Sequence, residues 1–168
     1  MALLRFFLTA VFLAVTAVPA PGHHMGKSVP IAHSGGPVAD LAGNVVAAYF
    51  EEQLGRDTEL FTRSSVEECF RDITEKEAPM ALVPVVPRDR IPDGIVIVLP
   101  GIDTGQGVFT LAMGSDARGE LQFSLVPRYM EKLGSGLSSE AWEKGLARVK
   151  AGEGARKVAL DMLREGDL

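Results

Sequence analysis

The chain has a single cysteine, Cys69, in 168 residues. No disulfide can form within it, so a folded domain must be held by its apolar core. Histidine is almost as scarce, with only His23, His24 and His33, and there is one tryptophan, Trp142. Seventeen Lys and Arg face 22 Asp and Glu, for a net charge of −5. With no excess of positive charge and no basic blocks interleaved with aromatics, nucleic acid is an unsuitable partner. The zinc-protease, dithiol, nucleophile-elbow, Walker and dinucleotide-binding motifs are all missing. An enzyme reading therefore has no constellation of residues behind it, and no cofactor or metal is implied. No apolar run after Val18 is long enough to span a membrane.

One short apolar run is present, at the start. Arg5 precedes Phe6–Val18, which is broken only by Thr9 and Thr16. Small residues follow, offering Val15-Thr16-Ala17 or Val18-Pro19-Ala20 as cleavage triplets. This is the pattern of an export signal over residues 1–20, with 21–27 as a linker. No Cys follows the apolar run, so a lipid anchor is not indicated. His23 and His24 fall in the linker and read as a solvated tail.

Residues 28–168 form the single domain, and their first third carries the clearest pattern. The spacing predicts strand Ser28–Ala32, the turn Ser34-Gly35-Gly36-Pro37 and a helix to Leu54. A second strand, Asp57–Thr62, leads through Ser64-Ser65 to a helix ending at Lys76 and a third strand, Met80–Val86. In the first helix Val38, Leu41, Val45 and Tyr49 make one apolar face. Pro37 sits in the first turn, where its missing N–H costs nothing, and Gly55 ends the helix. In the second, Val66, Cys69, Phe70 and Ile73 form the buried stripe, and Ser64 and Ser65 have capping-box spacing to Glu67 and Glu68. Cys69 on that stripe reads as a small core hydrophobe, not as a nucleophile.

Met80–Val86 and Ile95–Leu99 are nearly continuous apolar runs, which suggests central strands. Pro87–Gly94 and Pro100–Gly107 read as loops, the second with glycines suited to positive φ. Val108–Met113 is a further strand. Helices follow from Pro127 to Gly134, from Ser138 or Ser139 with Trp142, Leu146 and Val149 inward, and from Ala155 with Val158, Ala159, Met162 and Leu163 on one stripe.

Two segments resemble the substrate-binding proteins of ABC importers for glycine betaine, choline and related osmoprotectants. One is Val29–Val86, with its small-residue turn, the helix ending Tyr49-Phe50-Glu51-Glu52-Gln53-Leu54-Gly55, and the Ser-capped helix. The other is Met130–Trp142, read as a helix-turn-helix, with the closing helix after Gly154. The resemblance implies an α/β fold: one lobe of a type II periplasmic binding protein, with a central, mostly parallel sheet flanked by helices. It also implies a periplasmic location, a small-molecule solute and an ABC permease as partners. The chain departs from that family in two ways. It has room for one lobe only, and no aromatic cage stands ready for a quaternary ammonium group.

A polar solute is expected where Ser34, Gly35 and Gly36 meet Ser64 and Ser65. There the N-termini of two helices would offer N–H groups to an anionic group. His33, ending the first strand, either reaches that ligand or caps the strand. The alternative is an exported interaction protein that has lost solute binding, such as a homodimer docked through the face a second lobe would cover.

Cleavage is expected between Ala17 and Gly22. Mass spectrometry of the protein purified from its native host should show no residues before that window. An intact Met1 in a membrane fraction would mean an uncleaved anchor instead.

Overall fold

A computed structural model describes residues 28–168, and the expected signal and linker lie outside the described residues. The chain forms β1 (Ser28–Ser34), α1 (Pro37–Leu54), β2 (Asp57–Arg63), α2 (Val66–Thr74) and β3 (Met80–Pro84). Then come β4 (Ile95–Asp103), β5 (Val108–Gly114) and α3 (Ser115–Gly119), followed by α4 (Val126–Gly136), α5 (Ser139–Lys150) and α6 (Ala155–Glu165). The strands make one sheet in the order β2-β1-β3-β5-β4. β1 is parallel to β2 and β3, and β5 is antiparallel to β3 and β4. Four strands thus point one way and β5 the other. This is a single α/β lobe, with a mostly parallel central sheet flanked by helices.

The strand alternation sets the two layers. Val29 and Ile31 face the large cluster under α1, α4, α5 and α6, whereas Ala32 faces the smaller cluster under α2. α1 is buried on more than its predicted face. Ala42, Val46, Ala48 and Phe50 are covered as fully as Leu41, Val45 and Tyr49. The reason is that α5 and α6 pack over α1 on the side away from the sheet. A Cβ on Gly145 of α5 would meet Leu41 and Met162, so α1, α5 and α6 meet at close range there.

Burial holds this layer more than charge does. α6 buries Val158, Ala159, Met162 and Leu163. Each large apolar side chain taken from water contributes about 1.5–3 kcal/mol. The half-exposed pair of Arg156 with Glu51, which also ties α6 to α1, contributes about 1 kcal/mol or less.

Several boundaries differ from the sequence reading. β1 runs on to Ser34, α2 stops at Thr74, and β3 stops at Pro84. α3 had no clear sequence signal. β4 is an edge strand, not a central one, and Ile95, Val96 and Ile97 are only half-buried. It also continues through the expected loop as far as Asp103. The register shifts between Val98 and Ile102, so this is a bulged strand. A bulge on an edge strand tolerates Pro100, which has no N–H to give. Gly101 is there for space rather than for positive φ, because a Cβ would stand 2.7 Å from the Phe109 carbonyl oxygen. Only Gly105 in that segment has positive φ, at 72°.

Cys69 is fully buried beside Phe70 and Ile73, as its stripe position predicts. Burial, with Asp72 nearby, pushes its thiol up to about 12. The unfolded thiol ionises near pH 8.5, so the folded form holds the extra proton above that pH. Stability should therefore fall as pH rises from about 9 toward 12, and Cys69→Ala should remove that component of the slope. Thiol reagents should label the native protein only after denaturant is added. Rapid labelling of the folded chain would overturn this placement.

Candidate functional site

The register of β1 with β2 runs from Ser28↔Asp57 to Ser34↔Arg63. Both strands therefore end level, and the turns after them lie side by side. Gly35 donates its N–H to the Arg63 carbonyl at 3.0 Å, and a Cβ on Gly35 would meet the Thr62 methyl at 3.2 Å. Ser34, Gly35 and Gly36 thus stand next to Ser64 and Ser65 at the carboxyl edge of the sheet. α1 and α2 start from this edge on opposite faces. In the strand order β2-β1-β3 the chain reverses direction across the sheet here, between β1 and β3. In open α/β sheets such a switch point leaves a crevice at the carboxyl ends of the strands.

Gly36 caps α1 with φ 112° and ψ 152°, a conformation that side chains disfavour. Pro37 has no N–H, so the N–H groups of Val38 and Ala39 are the open donors of the first turn. Asp40 also lies in that turn.

The serines are already committed. Ser65 is the N-cap of α2, and its hydroxyl accepts from the Glu68 N–H at 3.2 Å. The Glu68 carboxylate accepts from Ser64, at 2.9 Å from its N–H and 2.8 Å from its hydroxyl. This is a capping box shifted by one residue at its return contact, with Glu67 turned away to Arg90. The Ser64 hydroxyl and then its N–H hold the Glu68 carboxyl below its usual range. The positive end of the α2 dipole is therefore neutralised from within, and an incoming anion would meet Glu68.

His33 caps its strand from inside. It is 3 % exposed, under α1, with Nε2 at 3.2 Å from the Thr62 hydroxyl. Its Nδ1 lies 3.2 Å from the Ser34 carbonyl oxygen and 3.6 Å from the Asp40 carboxylate. The ring packs on Gly43, where a Cβ would stand 3.4 Å from it. His33 positions the Ser34 turn and does not project from it.

Sequence reasoning missed the apolar residues that share this edge. Val85 is 59 % exposed, Leu99 70 % and Val108 42 %, and Val85 donates its N–H to the Val108 carbonyl. It also missed Glu68 as the occupant of the second turn, which the four-residue spacing from Ser64 could have shown. A cavity of 560 Å³ lies elsewhere, at the amino edge of the sheet near Phe61, Ile73 and Ile95. Among the described residues no helix is long and apolar enough to cross a membrane, and no group of His, Cys, Asp or Glu is placed to hold a metal ion. The chain matches no protein-family model, no curated protein and no solved structure.

Ser65→Ala should remove the cap and destabilise the domain by about 1 kcal/mol in denaturant titrations. The Glu68 contribution is present above the unfolded carboxyl value and lost as pH falls through the lowered folded one. Glu68→Gln should accordingly flatten the acid limb of the stability curve. An unchanged acid limb would mean that Glu68 does not cap the turn in solution.

Proposed function

We propose that this chain is an exported solute-binding lobe of an ABC-type import system of the glycine betaine or osmoprotectant kind. It would work in the periplasm, with a permease as partner, and hold a small polar or zwitterionic solute weakly. The observation that supports this is the exposed Gly35-Gly36 turn at the switch point between β1 and β3, opening α1. The open N–H groups of Val38 and Ala39 suit the carboxylate of such a solute. Asp40 and Glu68, at the two helix starts, would suit its cationic end, which has no aromatic cage to enter. A single lobe cannot close over the ligand, so ordering and desolvation are poorly repaid and affinity is low. His33 stands between the Thr62 hydroxyl and the Asp40 carboxylate, but it is buried beneath α1, and we read the site as binding rather than catalytic.

Val85, Leu99 and Val108 favour a second reading. Apolar side chains this exposed beside a ligand turn suit docking of another protein or a second copy. In that case the chain would be an interaction protein and the polar turn would be structural.

Calorimetric titration with glycine betaine, choline and acetate separates the two readings. Weak binding of betaine or acetate, abolished by Gly36→Val in a folded variant, is the expected result. No binding of any of the three, together with dimerisation disrupted by Leu99→Asp, would favour the second reading. Tight betaine binding unaffected by Gly36→Val would show that the site lies elsewhere.

A further inference from the structure

We propose that the trough at the amino edge of the sheet binds a linear aliphatic polyamine. The 560 Å³ cavity is within the range of small-molecule sites. It lies at the opposite edge from the Gly35-Gly36 turn and does not depend on the solute reading. Its floor is apolar, built from Phe61 of β2, Ile73 of α2, Ala78 before β3 and Ile95 of β4. Ile73 and Ala78 are buried, while Phe61 and Ile95 are half-exposed.

The lining carboxylates sit at the two ends of this floor, and at the β2 end the Arg63 guanidinium lies 5.5 Å from the centre of the Phe61 ring. Glu59 and Glu77 stand at the β2 end, and Asp93, Asp116 and Glu120 stand at the end where β4 begins and β5 finishes. Among the described residues Lys76 is the one cationic residue of the lining, and it pairs with Asp116 at 3.3 Å. Glu77 lies 3.7 Å from Arg63. Among the described residues no cationic side chain pairs with Glu59 or Asp93. α2 ends over the trough at Thr74, so the negative end of its dipole adds to the same field.

The separation of the two ends selects the ligand. β2 and β4 are the outer strands of five, four spacings apart, which at about 4.8 Å each is roughly 19 Å. The carboxylates are too dispersed to chelate one metal ion. A compact monoamine could meet only one end. A linear polyamine presents ammonium groups at both ends and lays its methylenes on the apolar floor between them. Exposed carboxylates alone would give only diffuse, salt-screened attraction. The methylene contacts are what would make the site specific.

The test uses the full chain, with spermine as the probe and putrescine, tetraethylene glycol and Mg²⁺ at matched ionic strength as comparisons. Spermine should bind at least tenfold tighter than putrescine and shift the amide resonances of Phe61, Ile73 and Ile95. Tetraethylene glycol should not bind, and Mg²⁺ should not displace spermine. Glu59→Gln and Asp93→Asn should each weaken binding several-fold while leaving the denaturation curve unchanged. Displacement by Mg²⁺ would reveal a general ion atmosphere and overturn the site. Loss of affinity from one substitution but not the other would overturn the spanning pose. Shifts confined to Gly35, Gly36 and Ser64 would overturn the placement, without touching the case for a solute at that turn.

Discussion

The pairing of β1 on both sides is the constraint from which the rest follows. Seven residues of β1 lie against seven of β2, and Ile31, Ala32 and His33 pair with β3. Burial on both edges and both faces admits only the pattern this strand has: aliphatic toward α1, and small toward α2. A one-residue slip would exchange Ile31 and Ala32 between the two layers. The same register brings the turns after β1 and β2 level. His33 locks that end, because its ring reaches Thr62 on the neighbouring strand and the carbonyl of the turn itself.

The two faces of the sheet are covered unequally. Among the described residues α1 and α4 cover one side, with α5 and α6 packed over α1, whereas α2, with nine residues, stands almost alone on the other. Both the apolar residues at the carboxyl edge and the trough at the amino edge follow from this. α2 is too short to shield the β4–β5 half of its face from end to end.

The opening β-α-β-α-β run was legible because each boundary carries its own local signal. Ser65 caps, Pro37 starts a helix, Gly55 stops one, and the Val66–Ile73 stripe has helical spacing. Three things depended on tertiary context and could not be read. The second buried face of α1 exists because α6, from the far end of the chain, covers it. The edge position of β4 follows from β5 entering between β3 and β4, which an apolar run cannot reveal. The glycines after Pro100 suggested a loop, yet Gly101 serves a close approach between strands. At the site, the meeting of the two turns was foreseeable from parallel topology. The Ser65–Glu68 cap was also legible from its spacing, but the turn of the Glu68 carboxylate back to Ser64, which fills the site, was not read from it.

The packing of α6 on α1 also bears on when the domain can become stable. Arg156 bonds to the carbonyl of Asn44 and to Glu51, partners 112 and 105 residues earlier. Contacts so distant in sequence carry a high cost of loop closure and are gained late in folding. α1 must wait with Ala42, Val46 and neighbouring apolar groups uncovered until the last helix has been made. Those apolar groups of α1 stay open to solvent until α6 docks on them. The covered state of α1 therefore depends on a helix more than 100 residues later in the chain.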